Sequence, residues 1–521
     1  MNADKKKTGA VGVSRRSPAA GLLGVLAFLA LLISAAVAYC YSHGYILYYG
    51  DAEAHLNIAR RVLDSQTPGY DEIGGVWLPL AHALLIPFAS VDSWWRSGLA
   101  GAFPSAICFV IAGAFLFAAV RRIFSSGAVG FTAAALFALN PNILYLHSIP
   151  LMEPEFFACF LALLYFSVRF RETQGWGALA GAGIAACLGS LARYEGWFVL
   201  PFAALYFLLV ARQHRILTAA VFSAIAALGP LYWFGHNWWL TLDPLDFYRG
   251  PYSPAAIQGR VSYPGKGDWH KAFLYYRTAA ELCAGPGLVL LAMAGAVVAL
   301  VRRAFWPLVL LALPGIFYIW NMHSAAGPIY VPVLPPNKYY NTRYGTAVMP
   351  LLAIAASALV SVPPRRMRPL FAALVIAAGA VYWAAHRAPS DWVTWEESRV
   401  NSEARREWTR EAADFLKPRF VPGSGLITTF GDITGVFREA GIPLRETFTG
   451  DNGIPFDATV TRPDLFLWQE WAVVMGGDPA QSGIDRAGRY GIRYRLEDTI
   501  VVKDSPVIEI YRRTGGNHGP S

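Results

Sequence analysis

Tyr48-Tyr49-Gly50-Asp51-Ala52-Glu53-Ala54-His55 follows an uncharged apolar run, about Ala19 to Tyr39, that is long enough to cross a bilayer. Lys5, Lys6, Lys7, Arg15 and Arg16 precede the run, and basic residues hold that end in the cytoplasm. Asp51 and Glu53 are therefore expected just outside the membrane. A polar cluster there marks either a site or a solvated loop. The run is too long for a cleavable signal peptide, and no small-residue cleavage site precedes a soluble chain.

The chain has 521 residues, of which 55% are hydrophobic and 15% charged. Apolar stretches recur along most of it, which predicts an α-helical polytopic membrane protein. The net charge of +9 reflects topology and does not point to nucleic acid. Arg121 and Arg122, Arg169 and Arg171, Arg212 and Arg215, Arg302 and Arg303, and Arg365, Arg366 and Arg368 fall in every second short loop. That alternation predicts about eleven spans, an inside N-terminus and an outside C-terminus.

Three outward loops, 42–104, 236–283 and 321–344, carry most of the Trp, Tyr, His and Pro outside the spans. Loops on a rigid scaffold are where binding and catalysis concentrate. In the first loop, Ala54 to Leu63 reads as a short amphipathic helix lying flat in the interface, as does Trp94-Trp95-Arg96. The expected organisation is a cytoplasmic tail 1–18, a transmembrane domain 19–388 and a small extracytoplasmic α/β domain 389–521. In the last of these, Glu403 to Leu416 and Ile433 to Ala440 read as helices. Leu426 to Phe430, Trp471 to Met475, Ile492 to Leu496, Ile500 to Val502 and Val507 to Tyr511 read as strands.

Cys108, Cys159 and Cys187 lie inside spans, where cysteine is a small buried apolar residue. Cys40 and Cys283 fall at the outer face, but spacing alone does not pair them. No Cys/His cluster has zinc spacing, and no Walker loop, nucleophile elbow or zincin helix is present.

Further charges converge on the same face. Glu153 and Glu155 lie in Met152-Glu153-Pro154-Glu155, at the mouth between the third and fourth spans. Arg193-Tyr194-Glu195-Gly196 lies between the fifth and sixth. Lys338-Tyr339-Tyr340-Asn341-Thr342-Arg343-Tyr344 precedes the tenth. Such ions either pair among themselves or bind something. An anionic lipid phosphate accounts for both signs, with Arg and Lys holding the phosphate and a carboxylate acting as base.

In order, sidedness and spacing these motifs resemble the C-type (GT-C) polytopic glycosyltransferases, nearest the protein O-mannosyltransferases and lipid A aminoarabinose transferases. The resemblance rests on Gly50-Asp51-Ala52-Glu53, Met152-Glu153-Pro154, Arg193-Tyr194-Glu195-Gly196 and Arg343-Tyr344 running to Met349-Pro350, and covers roughly residues 15 to 390. It implies a sugar donor carried on polyprenyl phosphate, a lipid, glycan or protein acceptor, and transfer outside the membrane with inversion. By position, Asp51 matches the acid that deprotonates the acceptor and Glu153 the second acid. Arg343 matches the cation on the lipid phosphate, with Lys338 and Arg193 in support. Glu53, His55, Glu195, Tyr339 and Tyr344 complete the expected substrate-binding set.

The sequence departs from the family pattern at Asp51-Ala52-Glu53, where mannosyltransferases have adjacent acids. That spacing turns the two side chains to different sides of a helix. No cofactor is expected, with a divalent metal at Asp51, Glu53 and Glu153 as the alternative, because the related oligosaccharyltransferases use one. The expected location is the bacterial inner or plasma membrane, with the C-terminal domain periplasmic or extracellular. Two other classes stay open: a lipid or solute transporter, and a membrane-anchored assembly factor. Against the first, the charges cluster at one face and not at the midplane, and no repeated halves stand out.

Overall fold

A computed structural model describes residues 18–259, 261–324, 327–429 and 431–515. Lys5, Lys6, Lys7, Arg15 and Arg16 lie outside the described residues. Most of the chain is a bundle of apolar helices beginning with Pro18–Ser42. Among the described residues, six helices are long and apolar enough to cross a membrane: Gly21–Ser42, Leu99–Ile123, Arg215–Thr241, Trp306–Ser324, Thr342–Ser361 and Arg365–Ala385. A seventh is the bent pair Trp269–Ala284 and Pro286–Val301. Length and composition alone therefore do not reach the expected eleven. Gly127–Ala138, Trp176–Ala192 and Tyr194–Val210 are apolar but shorter than the roughly 20 residues a straight span needs. Glu153–Thr173 is long enough but carries charges at both ends.

The loops expected outside hold more structure than their sequence suggests. Segment 42–104 contains the helices Gly50–Arg61, Pro79–Ala89 and Asp92–Ser97. Segment 236–283 is not a loop throughout. His236 lies inside Leu228–Thr241, and Trp269–Ala284 is a helix. That helix turns by 106° into Pro286–Val301 at Gly285, whose φ of +79° favours glycine. It buries Ala272, Tyr275, Tyr276, Ala279 and Cys283, the three- and four-residue spacing of one helical face. Cys40 and Cys283 are both buried and free.

The helix Gly50–Arg61 does not lie flat on a membrane. Ala52, Leu56 and Ala59 are fully buried, and His55 and Asn57 nearly so. The C-terminal domain covers one side of it, through Asn57 Nδ2 to Thr434 Oγ1 at 3.1 Å and an ion pair from Arg61 to Asp451. Trp95 likewise is no interfacial anchor. It is fully buried and its Nε1 donates to Asn57 Oδ1 at 3.0 Å.

The C-terminal domain is a mixed five-stranded sheet in the order β2-β1-β3-β5-β4. Its strands are β1 Leu426–Thr428, β2 Thr447–Phe448, β3 Trp471–Met475, β4 Arg493–Ile500 and β5 Ile508–Gly515. β1 pairs parallel with β2 and β3, and β5 pairs antiparallel with β3 and β4. The two strands expected over 492–502 are one, with a register irregularity between Leu496 and Asp498. A bulge absorbs the out-of-phase residue without ending the strand. The helix expected from Glu403 begins ten residues earlier, at Val393. Its first turns, with Val393, Thr394, Trp395, Glu397 and Ser398 buried, dock on the membrane bundle. This bridging helix joins the two domains: the Thr394 N–H and hydroxyl both donate to Asn142 Oδ1, at 3.0 and 2.9 Å.

Candidate active site

Three helices present their N-termini to one place, and each carries acids in its first turn. Asp51 and Glu53 open Gly50–Arg61, Glu153 and Glu155 open Glu153–Thr173, and Glu195 opens Tyr194–Val210. A helix N-terminus favours negative charge, so local structure and site chemistry agree. Two arginines thread these acids together. Arg343 donates from Nε to Glu153 Oε1 at 3.1 Å and from Nη2 to Asp51 Oδ2. Arg193 reaches the same Glu153 Oε1 at 3.1 Å from Nη1 and Glu195 Oε1 at 2.5 Å from Nε. Tyr318 closes the chain, accepting from Arg193 Nη2 and donating to Glu195 Oε1, each at 2.7 Å.

The cluster is buried except at one edge. The side chains of Arg343, Glu153 and Glu195 are 7%, 6% and 4% accessible, whereas Asp51 is 41% accessible. Asp51 is thus the carboxylate a ligand meets first. Burial pushes its pKa up, but Arg343, with help from His55 and Arg193, outweighs that and leaves it below the ordinary value. The Arg343 guanidinium also lies 4.7 Å from the Tyr49 ring and 5.4 Å from the Tyr344 ring. Tyr344 in turn stacks on Tyr318 at 4.6 Å. Rings this close to a guanidinium attract its charge.

Glu397, on the bridging helix, was not singled out from sequence. Its Oε2 accepts from the Arg343 backbone N–H at 3.0 Å and from the Tyr49 hydroxyl at 3.2 Å. Burial pushes its pKa up to about 6, against the pull of Arg343. Gly345 packs so closely that a Cβ there would lie 2.4 Å from the Ala279 carbonyl carbon. Gly345→Ala is expected to displace the Thr342–Val348 turn that carries Arg343. Overpacking of this kind costs about 1–3 kcal/mol, which a thermal melt reads directly.

The remaining expected residues divide. Glu53 points away from Asp51 and pairs with Arg438 of the C-terminal domain at 3.1 Å. It is packed tightly there, since a Cβ at Gly435 would fall 2.8 Å from its Oε1. His55 lies beneath the Asp51 turn, Nδ1 to His82 Nε2 at 3.0 Å, against Trp77. Lys338 is exposed and makes no ion pair among the described residues. Tyr339 is half-buried, and its carbonyl accepts from Asn401. The donors weighed for a metal do not fit one. Arg343 stands between Asp51 and Glu153, Glu53 is on the opposite side of its helix, and no group of three His, Cys, Asp or Glu side chains converges among the described residues.

His55 gives a pH-dependent signature. Burial lowers its pKa from 6.5 to about 4, opposed by Asp51 and Glu153. Between those values the unfolded chain binds a proton that the folded chain refuses, so stability rises with pH across this window and the gain is complete above 6.5. The swing is about 3 kcal/mol. His82 titrates in the same direction and Glu397 in the opposite one. The informative quantity is therefore the difference between wild type and His55→Gln. Melting temperatures from pH 4 to 7 are expected to climb less steeply in the variant.

Comparisons with known proteins bear on this geometry. The profile of the dolichyl-phosphate-mannose-protein mannosyltransferase family matches residues 88–239, a stretch that includes Glu153, Arg193 and Glu195. No curated protein matches the chain by sequence. ArnT from Cupriavidus metallidurans bound to undecaprenyl phosphate superposes with a TM-score of 0.56 at 14% identity, over 96% of this chain and 100% of that one. Its apo state gives a TM-score of 0.53 at 13% identity, over 95% and 98%. The chain thus has the fold of the C-type polytopic membrane glycosyltransferases and resembles the mannosyltransferases and ArnT among them.

Proposed function

We propose that this protein transfers a sugar from a polyprenyl-phosphate carrier to an acceptor hydroxyl outside the membrane, with inversion at the anomeric carbon. The observation that carries the reading is the ion-pair chain Asp51–Arg343–Glu153–Arg193–Glu195, with Asp51 alone at its open edge. The solved relative that binds undecaprenyl phosphate has the same fold, which supports the donor class.

A sugar on a lipid phosphate already carries its leaving group. The protein has to align acceptor and donor, take one proton and stabilise one developing charge. Asp51 takes the acceptor proton. The freed oxygen attacks the anomeric carbon from the face opposite the phosphate, the carbon–oxygen bond to phosphate breaks, and the lipid phosphate leaves with both electrons. Arg343 holds that phosphate by the two-pronged donation Arg offers. Without donor, Arg343 is committed to Asp51, so an arriving phosphate competes for the guanidinium and releases the carboxylate to act as base. Glu153 stays held by Arg193 and keeps Arg343 in place. No step is routed through a metal.

The test is to incubate the purified protein with labelled polyprenyl-phosphate sugars and a panel of hydroxyl acceptors. Acceptor-dependent release of the polyprenyl phosphate, with inverted product, is expected. Uptake of the intact donor across vesicles without cleavage would replace this reading with a transporter.

A further inference from the structure

The helix that carries Asp51 has a second charged face. On it, between the end of the first apolar helix and the C-terminal domain, lies a cavity of about 360 Å³. Four arginines, Arg96, Arg405, Arg406 and Arg438, face two glutamates, Glu53 and Glu439, across it. Most of these charges are spoken for. Arg438 pairs with Glu53 and Glu439, Arg96 pairs with Asp92, and Arg405 donates to the Tyr48 carbonyl at 2.6 Å.

Arg406 differs. It is half-buried, and its guanidinium carbon lies over the Tyr48 ring, 3.9 Å from the ring centre. Its Nε donates to Ser402 Oγ at 3.1 Å, and it makes no ion pair among the described residues. Stacking leaves the in-plane edge of a guanidinium open, and that fork matches a phosphate. A partly buried cation with no carboxylate, in a cavity where arginines outnumber glutamates, is set up for an anion from outside.

The position of the cavity indicates the source. Tyr41 and Gly44, in the last turn of the first apolar helix and just after it, line the cavity. Tyr41 and Tyr39 are 52% and 38% exposed there, as aromatic side chains are where a span meets the headgroups. We infer that this cavity binds the phosphate of an anionic lipid headgroup in the leaflet at this end of the bundle, with Arg406 as its principal ligand. The site is separate from the Arg343 cluster, and the inference does not depend on the sugar-transfer reading.

The test uses the full-length protein in detergent, with short-chain phosphatidylglycerol, short-chain phosphatidylcholine and inorganic phosphate as probes and thermal stabilisation as readout. Phosphatidylglycerol is expected to raise the melting temperature of wild type more than phosphatidylcholine or inorganic phosphate does. Arg406→Gln should melt like wild type without lipid but bind phosphatidylglycerol about tenfold more weakly. Arg406→Lys, which keeps the charge but not the stacked fork, should fall between. Undiminished phosphatidylglycerol binding in Arg406→Gln would move the anion elsewhere and overturn the inference, as would no stabilisation of wild type. An equal shift from inorganic phosphate at the same concentration would overturn the lipid assignment in favour of free phosphate.

Discussion

Asp51→Asn is expected to abolish turnover while leaving donor binding intact or tighter. Removing a general base costs on the order of 100- to 10,000-fold in rate, and an amide of nearly the same shape keeps the local packing. The gain in donor binding follows from the competition at Arg343. In wild type the guanidinium is shared between Asp51 and Glu153. In the variant it has one charged partner fewer and is freer for phosphate. Folding should suffer little, because Asp51 is the most accessible carboxylate of the cluster and the buried Arg343 keeps Glu153 as a charged partner. Single-turnover kinetics together with lipid-induced stabilisation separate the two effects. Wild-type turnover in Asp51→Asn would assign the base to another residue, Glu153 being the nearest.

At Arg343 the structure changes which variant is informative. The side chain is 7% accessible and bridges two carboxylates, so Arg343→Ala strips a buried acid of one partner. Breaking a buried pair typically costs about 3–5 kcal/mol. The loss here should be at the lower end, because Arg193 still holds Glu153. A lower melting temperature in Arg343→Ala is therefore expected whether or not the residue binds donor. Arg343→Lys is the cleaner probe. It keeps the charge between Asp51 and Glu153 but loses the planar fork, so it should melt close to wild type while donor affinity falls about tenfold. Full stabilisation by polyprenyl phosphate in both variants would remove Arg343 from the donor site and turn attention to Lys338.

Legibility in the sequence followed position. Asp51, Glu153, Arg193, Glu195 and Arg343 each stand at the end of an apolar run, where a charge is conspicuous, and all five meet in one cluster. Even the divergence of Asp51 from Glu53 was readable, since a two-residue step on a helix turns a side chain by about 200°. Glu397 was not readable. It sits beside Glu396 in a helix whose every turn is charged, and only the fold shows that it caps the Arg343 backbone. The helix Trp269–Ala284 escaped because its apolar face is a narrow stripe among charges and looks like a loop beside neighbouring spans. β2 is two residues long, below what any periodicity can register. The span count rests on the alternation of basic loops, whereas helix length and composition mark six candidate crossings, or seven with the bent pair, among the described residues.

The bridging helix has a bearing on how this protein can be cut or recombined. The C-terminal domain supplies Glu397 to the Arg343 backbone, Thr394 to Tyr49 and Asn142, and Arg438 to Glu53. A chain ended near residue 388 would keep every residue of the ion-pair chain and lose the scaffold that orients the helix Gly50–Arg61 and the Thr342–Val348 turn. The unit that can be exchanged between relatives is therefore not the soluble domain alone. It is that domain together with the far face of the helix Gly50–Arg61, and a chimera that moves one without the other should assemble in the membrane with Asp51 misaimed.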